Sequence, residues 1–141
     1  MSDLAVRDAL PEDASEVRSL VTRALFAAGL PAPEPGLDDD LVDLGYYRAE
    51  GRAIWVAERD GVVVGCAAID RGEPGAAVLR RLAGGGLEAL VEAAVEFAAA
   101  RSLGVIETVL PPGLPGTQEA LRGAGFESPP GANAMLLRKR L

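Results

Sequence analysis

The chain has 141 residues, of which 49% are hydrophobic and 25% are charged, a balance typical of one globular domain. Its net charge of −7 argues against a nucleic-acid or anionic-membrane partner, because both need a basic surface. Histidine is absent and Cys66 is the only cysteine, which excludes Ser-His triads, intrachain disulfides and most zinc sites. With no signal-type or membrane-length apolar run in the sequence, we expect a cytoplasmic protein with a single domain over residues 1–141.

The first third of the chain predicts one strand and two helices. Residues 4–7 alternate in polarity and predict a short strand. Pro11 then opens a helix whose apolar residues recur at helical spacing as far as Gly29. After a proline-rich loop, residues 37–48 predict a second, shorter helix with aspartates at its start.

Residues 53–83 contain three β-rich runs joined by two short turns with glycine, which is typical of an antiparallel meander. Trp55 and Cys66 lie in these runs, and we expect both side chains to be buried. Three consecutive glycines, residues 84–86, follow the third run directly. The next element therefore starts with little intervening chain.

The last third predicts helix, strand, helix and strand. An amphipathic helix opens at about residue 87 and ends near Gly104. Residues 105–110 predict a strand, and the helix before it is expected to be the crossover that joins this strand to the meander. Thr117 is expected to cap the N-terminus of a short helix, and residues 134–139 predict the closing strand.

The element order β-α-α-β-β-β-α-β-α-β resembles that of the GCN5-related N-acetyltransferase (GNAT) family over nearly the whole chain. The segments that carry this resemblance are residues 7–13 (Arg-Asp-Ala-Leu-Pro-Glu-Asp), residues 38–65 with their Gly-Val-Val-Val-Gly hairpin, residues 79–82 (Leu-Arg-Arg-Leu) and residues 120–126, which end in Gly-Phe. The resemblance implies an α/β (α+β) fold with a mixed sheet of about six strands and helices on both faces.

The resemblance also implies acetyl-CoA as cofactor, held where the fourth and fifth strands separate. The pantetheine arm would run along the end of the fourth strand, and the pyrophosphate would meet backbone N–H groups at the N-terminus of the next helix. No metal is implied. The residues predicted to bind the cofactor are Leu82, Ala83, Gly84, Gly85, Gly86, Leu87 and Gln118.

The glycine segment is short compared with the family's phosphate-binding loop. The string from Arg81 to Gly86 matches the family's Arg/Gln-x-x-Gly-x-Gly/Ala signature, but Arg81 also belongs to the Leu-Arg-Arg-Leu of the fourth strand. We favour a deletion in which the three glycines form a tight strand–helix turn. The alternative that these glycines only turn the chain stays open.

Two positions that often carry catalytic groups in the family are apolar here. Leu121 occupies the position of a tyrosine that protonates the leaving thiolate, and Val78 that of a glutamate that deprotonates the amine. Glu107 and Tyr47 are the candidates to substitute, and each is also consistent with a structural role. The catalytic residues are therefore unknown at this stage.

Two functions are compatible with the resemblance. The first is an N-acetyltransferase in which a small-molecule amine attacks acetyl-CoA directly. The second is a catalytically inactive GNAT-like binding, regulatory or dimerisation domain. A homodimer is compatible with the sequence. The acidic cluster of Asp38, Asp39, Asp40 and Asp43 either attracts a cationic amine or caps a helix on a solvated face.

Overall fold

The computed structural model describes residues 3–34, 36–111, 113–131 and 135–141. Within these ranges the α-helices are α1 (Ala14–Ala27), α2 (Leu87–Ala100) and α3 (Pro115–Gly123). The strands are β1 (Leu4–Asp8), β2 (Ala53–Arg59), β3 (Val62–Arg71), β4 (Ala76–Gly84), β5 (Val105–Val109) and β6 (Leu136–Arg140). Short 3-10 helices cover Pro11–Asp13, Asp39–Leu41 and Leu44–Arg48.

The strands form one sheet in which spatial order follows chain order from β1 to β6. Neighbouring strands are antiparallel except β4 and β5, which are parallel and joined through α2. Parallel neighbours require such a crossover because a short hairpin reverses the chain direction and therefore joins antiparallel strands. The predicted mixed sheet is confirmed.

Helices cover both faces of the sheet, as predicted. On one face, α2 and α3 enclose a core that includes Trp55, Leu79 and Leu90. On the other face, α1 and the 3-10 segments pack over a core that includes Val17 and Cys66. Each large apolar side chain buried in this way contributes about 1.5–3 kcal/mol of transfer free energy, so both layers stabilise the sheet.

The predicted helix over residues 37–48 is wrong: this stretch forms the two 3-10 helices Asp39–Leu41 and Leu44–Arg48. The break lies at Asp43, whose backbone is extended and whose carboxylate accepts a hydrogen bond from the Gly45 N–H at 2.9 Å. A side chain that binds the backbone two residues ahead competes with helical hydrogen bonding.

The predicted cap of the last helix is also wrong. α3 begins at Pro115, with Leu114 at the N-cap position, and Thr117 is buried inside its first turn. Proline suits the first helical position because its missing N–H would have no intrahelical partner there. The closing strand starts at Leu136, and residue 134 of the predicted strand lies outside the described residues. None of the helices in the described ranges is long and apolar enough to cross a bilayer.

Candidate functional site

The parallel strands β4 and β5 are paired over a short distance and then separate. Their register runs from Ala76 opposite Val105 to Val78 opposite Glu107, whereas β4 continues to Gly84. The separation opens a cleft of about 310 Å³. Its walls are mainly apolar and include Val21, Ala24, Leu25, Leu82, Leu110 and Leu121.

A β-bulge interrupts β4 beside this cleft. The β3–β4 register shifts between Cys66 and Ala68, and Arg81 adopts a left-handed backbone conformation with φ of 58°. The Cys66 thiol, which is fully buried, donates a hydrogen bond to the Arg81 carbonyl oxygen at 3.1 Å. Burial raises the pKa of this thiol to about 12, so Cys66 is a neutral packing residue, as expected from its place in a strand.

The Arg81 side chain reaches the acidic segment that precedes β2. Its Nη2 lies 2.7 Å from Asp38 Oδ1 and 2.8 Å from Asp40 Oδ1, and its Nε lies 3.0 Å from Asp40 Oδ2. Only 11% of the Arg81 side chain and 6% of that of Asp40 are exposed. These two carboxylates therefore neutralise an internal cation rather than offering a site to a cationic amine.

Burial alone would raise the pKa of Asp40, but hydrogen bonds from Arg81 and Tyr47 and the positive charge of Arg81 lower it overall. Asp40 was expected either to attract a cationic amine or to cap a helix on a solvated face. Both expectations are wrong for this residue, because it is buried and its carboxylate is bonded to Arg81 and Tyr47. The capping expectation holds for Asp43, whose carboxylate accepts from the first turn of the following 3-10 helix.

Tyr47 is buried, and its hydroxyl donates a hydrogen bond to Asp40. Burial and this hydrogen bond to a carboxylate raise the pKa of the phenol, which favours the neutral form. Tyr47 does not line the β4–β5 cleft. A catalytic role for Tyr47 stays a prediction, and in this structure its hydroxyl is bonded to Asp40.

Glu107 lies opposite Val78, at the point where β4 and β5 are still paired. Its carboxylate is 3.5 Å from Arg138 Nη2 on β6, and 29% of its side chain is exposed. Val78 and Leu121 are among the residues that line the cleft, and neither of these two side chains can transfer a proton. A role for Glu107 in proton transfer also stays a prediction.

A second charged cluster, which the sequence reasoning missed, is centred on Asp70 at the end of β3. Asp70 accepts hydrogen bonds from Tyr46, from Arg52 Nε at 2.8 Å and from Arg80 Nη1 at 3.1 Å. Burial alone would raise the pKa of Asp70, but these donors and the Arg71 N–H lower it to about 2. Arg80 lines the cleft, and it shares the single negative charge of Asp70 with Arg52.

The connection from β4 to α2 is the tight turn that the sequence predicts, since β4 ends at Gly84 and α2 begins at Leu87. Gly84 and Gly86 have φ of +84° and +69°, which glycine adopts at little cost. A Cβ on Gly84 would lie 2.3 Å from the Val64 carbonyl oxygen. The Gly85 N–H donates to that same oxygen at 2.7 Å, so this turn packs tightly against β3.

A cavity of about 400 Å³ lies at this turn, beside the N-terminus of α2. The backbone N–H groups of a first helical turn favour an anion. The side chains, however, include Glu88 and Glu119, and no lysine or arginine is among the described residues that line the cavity. The two glutamates oppose the binding of a diphosphate here.

The remaining predicted cofactor residues divide between the sites. Leu82 and Ala83 line the β4–β5 cleft, and residues 84–87 line the cavity at the glycine turn. Gln118 lines a cavity of about 220 Å³ that shares Leu110 and Leu114 with the cleft. Its contact with a cofactor stays a prediction, and the structure does not bring it to the glycine turn.

The sequence matches no family model and no curated protein, but the fold matches many solved structures. One is an acetyltransferase of the GNAT family from Staphylococcus aureus Mu50, with a TM-score of 0.83, 13% identity and 99% of each chain covered. Another is ribosomal-protein-alanine N-acetyltransferase from Brucella melitensis, with a TM-score of 0.73, 21% identity and coverage of 97% of this chain and 99% of that one.

A third is a GNAT phosphinothricin acetyltransferase from Sinorhizobium meliloti in complex with acetyl-CoA, with a TM-score of 0.77, 16% identity and coverage of 98% of this chain and 88% of that one. These matches show that the chain has the GNAT fold, as the sequence resemblance implied. A ribosomal-protein alanine and phosphinothricin are different acceptors, so the fold alone does not define the substrate.

Proposed function

We propose that this chain transfers an acetyl group from acetyl-CoA to the amine of a small molecule. The observation that carries the proposal is the separation of β4 and β5 beyond Val78 and Glu107, which leaves one edge of β4 without a strand partner along the cleft. Solved structures with this fold include acetyltransferases, one of them in complex with acetyl-CoA.

The cleft suits the pantetheine arm of the donor. An extended chain with amide groups can add to an open strand edge by backbone hydrogen bonds, and here that edge includes Leu82 and Ala83. Apolar side chains of α1, such as Ala24 and Leu25, form the facing wall. These residues would hold the arm and exclude water from the thioester.

The glycine turn suits the diphosphate of the donor less well. Backbone N–H groups at Leu87 and Glu88 favour an anion, whereas the side chains of Glu88 and Glu119 repel one. The Gly85 N–H is already bonded to Val64. We therefore expect the pantetheine arm, rather than the diphosphate, to supply most of the donor affinity.

The donor supplies an acetyl thioester, whose carbonyl carbon is attacked by the amine nitrogen as the C–S bond breaks and the thiolate leaves. With Val78 and Leu121 in the cleft, the chain contributes positioning and exclusion of water. The proton lost by the amine balances the leaving thiolate, which is released as the free thiol. General acid or base groups typically contribute about 10²–10⁴-fold. Turnover is expected to be slower than in enzymes that have them.

The test is thermal unfolding with acetyl-CoA and, separately, with acetyl-pantetheine, which lacks the nucleotide and diphosphate. A ligand at a hundred times its Kd should stabilise the chain by about 2.7 kcal/mol. We expect both donors to stabilise it. A Gly85→Glu variant, which adds a carboxylate beside the turn, should weaken the binding of acetyl-CoA and leave the binding of acetyl-pantetheine unchanged. No stabilisation by either donor at millimolar concentration would overturn the proposal.

The second candidate function is a GNAT-like binding or regulatory domain without catalysis. It is favoured by the same two apolar side chains, Val78 and Leu121, at the positions where proton transfer is expected. Release of free thiol from acetyl-CoA, measured with a panel of small amines, separates the two functions. Donor binding with no amine-dependent thiol release would support the second.

A further inference from the structure

A cavity of about 530 Å³ lies where β1 ends and β2 begins, and it shares no lining residue with the β4–β5 cleft. One wall is the segment between β1 and α1, and another is the 3-10 helix Leu44–Arg48 with the start of β2. The last turn of α2 closes it with Phe97, together with Arg101 just beyond the helix. Among the residues considered above for acetyl transfer, Tyr47 alone lines this pocket, and its hydroxyl is bonded to Asp40.

The charge of this pocket is opposite to that of the chain. Three arginines line it, Arg48, Arg52 and Arg101, against one carboxylate, Asp8, although the whole chain has a net charge of −7. Arg52 is paired with Asp70, whereas within the described ranges neither Arg48 nor Arg101 forms an ion pair. An excess of guanidinium groups in an acidic protein favours an anionic ligand at this place.

Two of these guanidinium groups are held by aromatic rings. The Arg52 guanidinium carbon lies 4.2 Å from the centre of the Tyr46 ring, and its Nε is bonded to Asp70 at 2.8 Å. The Arg101 guanidinium carbon lies 3.7 Å from the centre of the Phe97 ring. A guanidinium fixed by stacking loses less conformational entropy when it binds a carboxylate or phosphate.

The pocket also has an apolar wall. Trp55 and Phe97 pack edge to face with ring centres 5.5 Å apart, and Trp55 is 8% exposed. Leu44 and Ile54, which belong to the core on the other face of the sheet, also line the pocket. Sites of this kind, apolar with a few polar groups that converge on the ligand, are typical of small-molecule binding.

We propose that this pocket binds a small organic anion, whose carboxylate or phosphate is held by Arg48, Arg52 and Arg101 and whose apolar part lies against Trp55 and Phe97. The proposal goes beyond acetyl transfer and does not depend on it. Carboxylate and phosphate share the bidentate acceptor geometry that guanidinium recognises, so both are tested.

Trp55 is the only tryptophan in the chain, so intrinsic fluorescence reports directly on this pocket. The probes are phenyl phosphate, phenylacetate and, as a neutral compound of similar shape, benzyl alcohol. We expect a saturable change in Trp55 emission with at least one anion, weaker binding at high salt and no saturation with benzyl alcohol. The stronger of the two anions identifies the preferred group.

The test variant is the double substitution Arg48→Gln and Arg101→Gln, which leaves the Arg52–Asp70 pair intact. We expect its Kd to rise about tenfold or more, since two charge-assisted contacts are lost. The matched control is Arg23→Gln with Arg59→Gln, two exposed arginines that do not line this pocket. Circular dichroism confirms that each variant is folded.

Several results would overturn the proposal: no saturable change with either anion, equal binding of benzyl alcohol, or an equal loss of affinity in the control variant. Each of them would mean that Arg48 and Arg101 do not form a binding site with Trp55. Retention of anion binding in the test variant, with the fold intact, would do the same.

Discussion

Arg81 and Asp40 form a two-contact ion pair, with Nε 3.0 Å from Oδ2 and Nη2 2.8 Å from Oδ1, although they lie 41 residues apart. The pair joins the β4 bulge to the 3-10 helix Asp39–Leu41. Arg81 has a left-handed backbone, which costs a non-glycine residue about 1–3 kcal/mol and persists when surrounding contacts hold it. The ion pair thus fixes the bulge beside the cleft.

Replacing Asp40 with Asn is expected to destabilise the fold. The substitution removes one charge of a buried pair, which typically costs about 3–5 kcal/mol, and here we expect about 3 kcal/mol because Asp38 still contacts Arg81. The measurement is the free energy of unfolding in urea.

The control for this variant is Asp39→Asn, because Asp39 is exposed in the same segment and its carboxylate accepts only from the nearby Gly36 N–H in the described structure. We expect a change within about 0.5 kcal/mol. Equal effects of the two substitutions would show that the Arg81–Asp40 pair does not fix this part of the fold.

Asp70 predicts a specific acid sensitivity. Hydrogen bonds from its neighbours outweigh the effect of burial and lower its pKa from the ordinary 3.8 to about 2. A carboxyl with a lowered folded-state pKa stabilises the fold above its unfolded pKa, and this stabilisation is lost as the pH falls towards the folded value. The free energy of unfolding should therefore decrease from about pH 3.8 to about pH 2.

An Asp70→Asn variant tests this assignment, since Asn cannot titrate. We expect a shallower dependence of the unfolding free energy on pH in that window, together with lower stability at neutral pH. A slope identical to that of the unsubstituted chain would show that other carboxyls account for the acid sensitivity.

The glycine turn allows a paired comparison of neighbouring residues. Gly84→Ala would place a Cβ 2.3 Å from the Val64 carbonyl oxygen at a φ of +84°, and we expect a loss of about 2–4 kcal/mol. A Cβ on Gly85 would make only ordinary contacts, the nearest at 3.6 Å, so Gly85→Ala should be close to neutral. Thermal unfolding measures both, and similar losses would contradict the turn geometry.

The two glutamates at the turn predict an unusual gain of affinity. The double substitution Glu88→Gln and Glu119→Gln removes negative charge from the cavity and should strengthen acetyl-CoA binding several-fold, since each exposed charge interaction is worth about 0.2–1 kcal/mol. Acetyl-pantetheine has no diphosphate and should be unaffected. Calorimetric titration of both donors makes the comparison, and an equal change for the two would show that the diphosphate does not lie at this turn.

The sequence predicted those elements whose signals are local. Helical spacing of apolar residues located α1 and α2, and the β-rich runs located the meander from β2 to β4. The stretch over residues 37–48 was mispredicted because Gly45 bonds to Asp43, and because two of its aspartates bind Arg81. No local pattern encodes a contact over 41 positions.

Only part of the candidate site could be located from the sequence, because its other contacts join residues that are far apart along the chain. Family-like segments pointed to Leu82 and Ala83, which do line the cleft. In the sequence Glu88 is one polar residue of an amphipathic helix, and only the fold brings it together with Glu119 of α3 at the glycine turn. The cluster around Asp70 joins Arg52, which lies just before β2, to Arg80 within β4, and no spacing rule would have selected them.

The central claim is that the cleft between β4 and β5 holds the donor. Two single substitutions, each of which replaces an alanine of α1 with phenylalanine, test this claim. Ala24 lines the cleft, whereas Ala27 is exposed and does not. Calorimetric titration with acetyl-CoA is predicted to give the same Kd for Ala27→Phe as for the unsubstituted chain and no measurable binding for Ala24→Phe, whose ring occupies the cleft. Equal binding by the two variants would contradict the account.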